Sequence, residues 1–148
     1  MLHPLGAPRD WLLDKAGMLA ASLKDIEGVE IVVSSGWAGY HPLPEVQALF
    51  QPWPALQARV VGRTEPWARP PGHGAVMPER ERQCRDWLRA HGRSAQHWLA
   101  LDNQRHHFAA RERLVLVDGR RGLQVANLYR LVELIHRLRR GGGRLTPS

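Results

Sequence analysis

Apolar and polar positions follow two different periods along this chain. From Trp11 to about Ile26 the apolar residues Leu13, Ala16, Ala20 and Leu23 recur at the spacing of one helix face, with Asp10 placed as N-cap and Gly28 as the stop. The β-branched run from Val29 to Val33 follows with almost no polar alternation, the pattern of an interior parallel strand covered on both faces. Next come a loop over 34–40 and a short helix over 44–50, opened by Pro44 and ended by Pro52 and Pro54. Arg59 to Gly62 reads as a short strand, and Pro66 to Pro78, with Pro70-Pro71-Gly72 and Gly74, as a loop or small flap. Helical spacing returns from Glu79 to His91 and stops at Gly92. Trp98 to Leu101 and Leu114 to Val117 are the next strands, the second ending at Asp118-Gly119. A last helix over Leu123 to Arg139 carries Leu128, Leu131, Ile135 and Leu138 on one face. Strands alternating with helices predict an α/β, Rossmann-like three-layer sandwich around a mainly parallel sheet.

Composition narrows the picture. The 148 residues, 43% apolar, suffice for one domain, expected over 1–140, after which the triple glycine releases a disordered basic tail over 141–148. The net charge is +7, but 19 of the 21 basic residues are arginine and only Lys15 and Lys24 are lysine. So lopsided a ratio reflects genome base composition more simply than a nucleic-acid surface. The arginines are scattered, apart from Arg137, Arg139, Arg140 and Arg144 near the end. A lone Cys84 excludes an internal disulfide and a multi-cysteine zinc site, and fits a reducing cytoplasm. With no leader and no bilayer-length apolar run, the expected location is cytoplasmic, with no membrane partner.

Two strand ends carry the candidate chemistry. In an open parallel sheet such ends line one crevice. Ser34, Ser35 and Gly36 at the tip of the first can bind phosphate through hydroxyl and backbone N–H donors, or merely satisfy a strand-to-loop turn. Asp102 at the end of the second can take Mg²⁺ with Asn103 as a neutral oxygen ligand, although Asp-Asn-Gln is also a good turn sequence. Arg80 near the start of its helix can reach a phosphate, or be an ordinary exposed helix arginine. Adjacent His106 and His107 do not face one way and read as a surface pair, and the tryptophans as core and loop anchors.

In order along the chain stand Leu2-His3-Pro4, Ser34-Ser35-Gly36-Trp37, Gly62-Arg63-Thr64, Arg80 with Trp87-Leu88, Trp98-Leu99-Ala100-Leu101-Asp102-Asn103, and Gly122-Leu123-Gln124. This series resembles the haloacid dehalogenase (HAD) superfamily, and more closely the small bacterial branch described as the HAD domain of Swiss Army Knife RNA repair proteins. The resemblance implies phosphoryl transfer by an aspartate on the first strand, a second aspartate two residues on as acid and base, and Mg²⁺ as cofactor. It makes Ser34 and Arg80 the grip on the transferring phosphoryl group, and Asp102 a holder of the metal.

The sequence departs from that pattern at Asn103, where a second acid is usual, at Ala38, where arginine is frequent, and above all at its start. Met1 falls where valine precedes Leu-His-Pro, so the first strand and its Asp-x-Asp pair lie off the N-terminus. In the superfamily that strand is central, and unpaired backbone groups on its neighbours would cost several kcal/mol. A start codon assigned too late, a truncated non-catalytic module, and a strand supplied by a partner are three expectations that follow. The function expected is an HAD-like Mg²⁺-dependent phosphohydrolase, inactive as written and a phosphatase once the Asp-x-Asp segment is restored. The alternative is a non-catalytic binding or regulatory module, RNA-associated. Its ligand would be a phosphorylated small molecule or a nucleic-acid end.

Overall fold

A computed structural model of the chain describes residues 15–34, 38–66, 77–142 and 145. The proposed N-cap Asp10, the Leu2-His3-Pro4 segment, Ser35, Gly36 and Trp37, most of the Pro66–Pro78 loop and most of the 141–148 tail lie outside the described residues.

The helix α1 (Ala16–Leu23) turns Ala16, Leu19 and Leu23 inward, an i, i+3, i+7 face on which Leu19 takes the place expected of Ala20, which is half-buried; Leu13 lies outside the described residues. After Gly28, whose φ of +76° few other residues adopt, the chain enters β1 (Ile31–Val33). Two short helices, α2 (Leu43–Ala48) and α3 (Pro54–Gln57), lead to β2 (Val60–Arg63). Then come α4 (Glu79–Ala90), β3 (Ala100–Asp102), β4 (Leu114–Leu116) and α5 (Val125–Arg140). Pro54, expected to terminate a helix, opens α3 instead: its missing N–H costs nothing in a first turn.

Both strand pairings are parallel, β1 with β2 and β3 with β4, as α/β crossovers require. Instead of one continuous sheet, the described residues form two two-stranded sheets. The chain is thus α/β and Rossmann-like with a reduced sheet. One apolar cluster holds the halves together: Leu19 and Leu23 of α1, Val33 and Val60 of the first sheet, Val115 of the second, and Leu131 and Leu134 of α5 are all buried in it. Burying one such side chain stabilises by roughly 1.5–3 kcal/mol.

A half-buried guanidinium fixes the first half. Arg59 donates to the carbonyls of Leu23 (2.6 Å), Ile26 (2.7 Å) and Val29 (3.1 Å), pinning the end of α1 and the entry to β1 against β2. Across the strand pair, Ile31 faces Val60 but Val32 faces Gly62, so Val61 is an extra residue. Such a bulge breaks the strict alternation of faces. Gly62 is thereby turned under Trp87 of α4, where a β-carbon would lie 2.6 Å from the indole ring. Only glycine lets the helix seat this closely.

Gly62→Ala should therefore lower stability by about 1–3 kcal/mol, seen as a reduced urea midpoint with an unchanged slope. An alanine variant as stable as the parent would show that Trp87 is not seated on this strand.

Candidate functional site

The end of β1 places Ser34, and the end of β3 places Asp102. The two converge on Cys84 of α4, whose thiol is influenced by the Ser34 hydroxyl and by the charges of Arg80 and Asp102. Between the two sheets runs a slot of about 620 Å³, and Ser34, Arg80, Asp102, Asn103 and His107 all line it. The four candidate site residues Ser34, Arg80, Asp102 and Asn103 thus border one cavity. Ser35 and Gly36, the other phosphate-binding candidates, lie outside the described residues.

Asp102 is almost fully buried, at 4% exposure. Its Oδ1 accepts the Gln104 backbone N–H at 2.7 Å, so the turn reading of Asp-Asn-Gln is realised. The 3₁₀ turn over Arg105–His107 folds back and brings the His107 Nδ1 to 3.0 and 3.1 Å from the two carboxylate oxygens. His107, expected from sequence as half of a surface pair, is instead half-buried against the buried acid. His106 meets its ring edge-on, with centroids 4.6 Å apart. Contact between a side chain and a carboxylate five residues back depends on an irregular turn, which no helix or strand spacing announces.

Arg80, in the first turn of α4, holds Nη1 3.9 Å from Asp102 Oδ2, an ion pair too long for a hydrogen bond. What aims this helix is Glu81, 2% exposed and unnoticed in the sequence. Its Oε1 accepts the backbone N–H groups of Ala109 (2.7 Å) and Ala110 (3.0 Å), and its Oε2 takes Arg85 Nε (3.0 Å). Glu81 so ties the start of α4 to the 105–113 loop, and this tie sets Arg80 against Asp102. A second cavity of about 450 Å³ opens beyond, lined by Tyr40 and His106 and sharing Arg80 and His107 with the slot.

The donor set fits a resident Mg²⁺ poorly. That ion favours one or two carboxylates plus waters and phosphate oxygens in a strict octahedron. Among the described residues no group of three His, Cys, Asp or Glu side chains surrounds a common point, and the carboxylate beside Ser34 and Arg80, Asp102, already serves Gln104 and His107. Asn103 lines the slot but packs its side chain toward Gly119. At the end of β4, Asp118 is held below the usual carboxylate range, first by the Arg120 N–H and then by the Arg121 N–H, as an exposed turn anchor.

Cys84 is no nucleophile at neutral pH. Desolvation pushes its thiol up to about 11, outweighing the Ser34 hydrogen bond and the Arg80 charge. A raised value favours the neutral thiol, so thiolate should appear only as the pH approaches that value. Alkylation of Cys84 by iodoacetamide at pH 8 should run roughly a hundredfold slower than that of a free cysteine and climb steadily with pH. A rate that levels off near pH 8.5 would refute this.

No curated protein and no solved structure matches the chain. A family model does, the HAD domain in Swiss Army Knife RNA repair proteins, over residues 5–128. This match takes in both strand pairs, α4 and the whole site just described, and the chain belongs to that HAD family.

Proposed function

We propose that this chain is a phosphohydrolase-type HAD domain that grips a phosphoryl group with Ser34 and Arg80, assisted by Ser35 and Gly36. The observation that carries this reading is the convergence of Ser34, Arg80 and Asp102 on one cavity at the ends of two parallel strands. A serine hydroxyl and a loosely paired guanidinium suit the oxygens of a phosphoryl group, the guanidinium as fork and the hydroxyl as single donor.

The described part of the chain does not supply the attacking group. Asp102 is engaged by His107 and Gln104, and the Cys84 thiol stays protonated, so an aspartyl-phosphate route needs a further carboxylate between Ser34 and Asp102. Given alone, the chain binds but does not turn over phosphoesters. The Mg²⁺ that the resemblance implies therefore belongs, in this reading, to the domain completed by that further carboxylate and not to the donor set of the described residues.

A second reading, a non-catalytic module at RNA ends, draws on the second cavity. There Tyr40, 77% exposed, offers a stacking face beside Arg80 and His106. A phosphorylated small molecule or a nucleic-acid end would each place its phosphate at Arg80. Among the described residues no helix is long and apolar enough to cross a membrane. A reducing cytoplasm remains the setting we propose for the lone thiol.

Assay with p-nitrophenyl phosphate and Mg²⁺ distinguishes these readings. The chain alone should show no turnover above buffer. A version extended at its N-terminus by a strand ending in two alternate aspartates should turn over, and Arg80→Ala in that version should lose at least tenfold. Salt-sensitive RNA binding by both versions, without turnover in either, would leave only the module.

A further inference from the structure

His107 has one ring nitrogen engaged and one free. Its Nδ1 lies 3.0 and 3.1 Å from the two oxygens of Asp102. A carboxylate only accepts, so the proton of this contact belongs to Nδ1, and the uncharged ring then carries a bare lone pair on Nε2. The two nitrogens point outward from different edges of the imidazole, which turns Nε2 away from Asp102. Among the described residues Nε2 has no hydrogen-bond partner. The ring is held in place: Asp102 is itself fixed by the Gln104 N–H, and His106 meets the imidazole at 70°. His107 lines both the slot and the second cavity, and so does Arg80. Guanidinium and imidazole thus flank one buried carboxylate, and Arg80, 3.9 Å from it, keeps its donors unspent.

We propose that His107 selects the ligand of this site by accepting a hydroxyl. The substrate class is a phosphomonoester with a free hydroxyl on the carbon next to the ester carbon, its phosphate on Arg80 and its hydroxyl donating to His107 Nε2. Asp102 is then a positioning residue, which sets the tautomer and aims the ring. This inference rests on the phosphate grip of Ser34 and Arg80 proposed above, and adds to it the part of the ligand that lies beside the phosphate.

The chemistry of the two flanking groups is complementary to such an ester and to little else. A guanidinium only donates and suits phosphate oxygens, whereas an unprotonated imidazole nitrogen needs a donor and finds none on a phosphate dianion. An ester without the hydroxyl leaves that lone pair unpaired. Glu79, which also lines the second cavity, is a further acceptor there and repels a second phosphate group. Ribonucleoside phosphates and polyol phosphates both carry the required hydroxyl. They differ in the planar base, which suits the exposed ring of Tyr40 in the same cavity.

Titration calorimetry of the full chain at pH 8, on the basic side of free imidazole, tests this with two matched pairs of esters. Adenosine 3′-monophosphate is compared with its 2′-deoxy analogue, and glycerol 1-phosphate with 3-hydroxypropyl phosphate. In one pair or both, the ester with the neighbouring hydroxyl should bind at least fivefold tighter. Preference in the adenosine pair alone assigns the site to nucleotides, and in the glycerol pair alone to polyol phosphates. His107→Asn places an amide N–H where Nδ1 stands, so it keeps the bond to Asp102 and removes only the acceptor. It should weaken the hydroxyl-bearing ester until the pair binds equally, a change of ratio that a merely structural histidine would not produce. Equal affinities within both pairs for the parent chain, or a preference that survives His107→Asn, would overturn the proposal. If the esters bind equally and Arg80→Ala releases them, the phosphate grip stands and the hydroxyl selection alone falls. If no ester binds, or Arg80→Ala changes nothing, the grip fails and the proposal with it.

Discussion

Inside a protein every backbone N–H and C=O needs a partner, and the organisation of this molecule follows from how far its strands meet that demand. β1 and β3 each satisfy one edge, with β2 and β4, and turn the other toward a shared cavity. The hydrophobic cluster beneath tolerates the separation because α1 and α5 carry it from one pair to the other. The site inherits its shape from the same separation: Ser34 and Asp102 border one cavity from the two different strand pairs.

α4 gives that space its chemistry. The helix is seated by Trp87 over Gly62 and tied at its start by Glu81 to the 105–113 loop. Between these two anchors it delivers Cys84 to Ser34 and Arg80 to Asp102. One helix thus couples both strand pairs. Arg113, whose guanidinium packs on Trp98 and donates to the carbonyls of Gln96 and Trp98, stiffens the approach to β3 on the far side. Burial outweighs the other influences on that guanidinium and lowers its pKa, as expected of a cation in a structural position.

Much of this was legible in the residues. The periodicity of 123–139 located α5 and its buried face, and the unalternating runs before Ser34 and Asp102 located two parallel strands. The order of short motifs led to the HAD family ahead of any coordinates. Three features were not legible, each for a physical reason. Pro54 can end a helix or start one, and only the next three residues, packing Leu56 into the core, decide it. His107 reaches Asp102 through a 3₁₀ turn that has no sequence period, and Glu81 looks like any acidic residue in a first helical turn until the 109–110 amides are brought to it from a distant loop. The division of the sheet into two pairs lies in what is absent between strands, and strand patterns report only what is present.

Arg59 gathers carbonyls from a helix end, a loop and a strand entry onto one side chain that itself sits just before β2. Those three carbonyl dipoles would otherwise need three separate donors. Because a single guanidinium serves them all, α1 and β1 cannot fray independently: releasing either exposes the charge-assisted bonds of both. Residues 15–34 and 38–63 therefore open and close as one cooperative unit, and the wall of the slot that bears Ser34 shares the fate of a side chain two residues past α3, at the entry to β2.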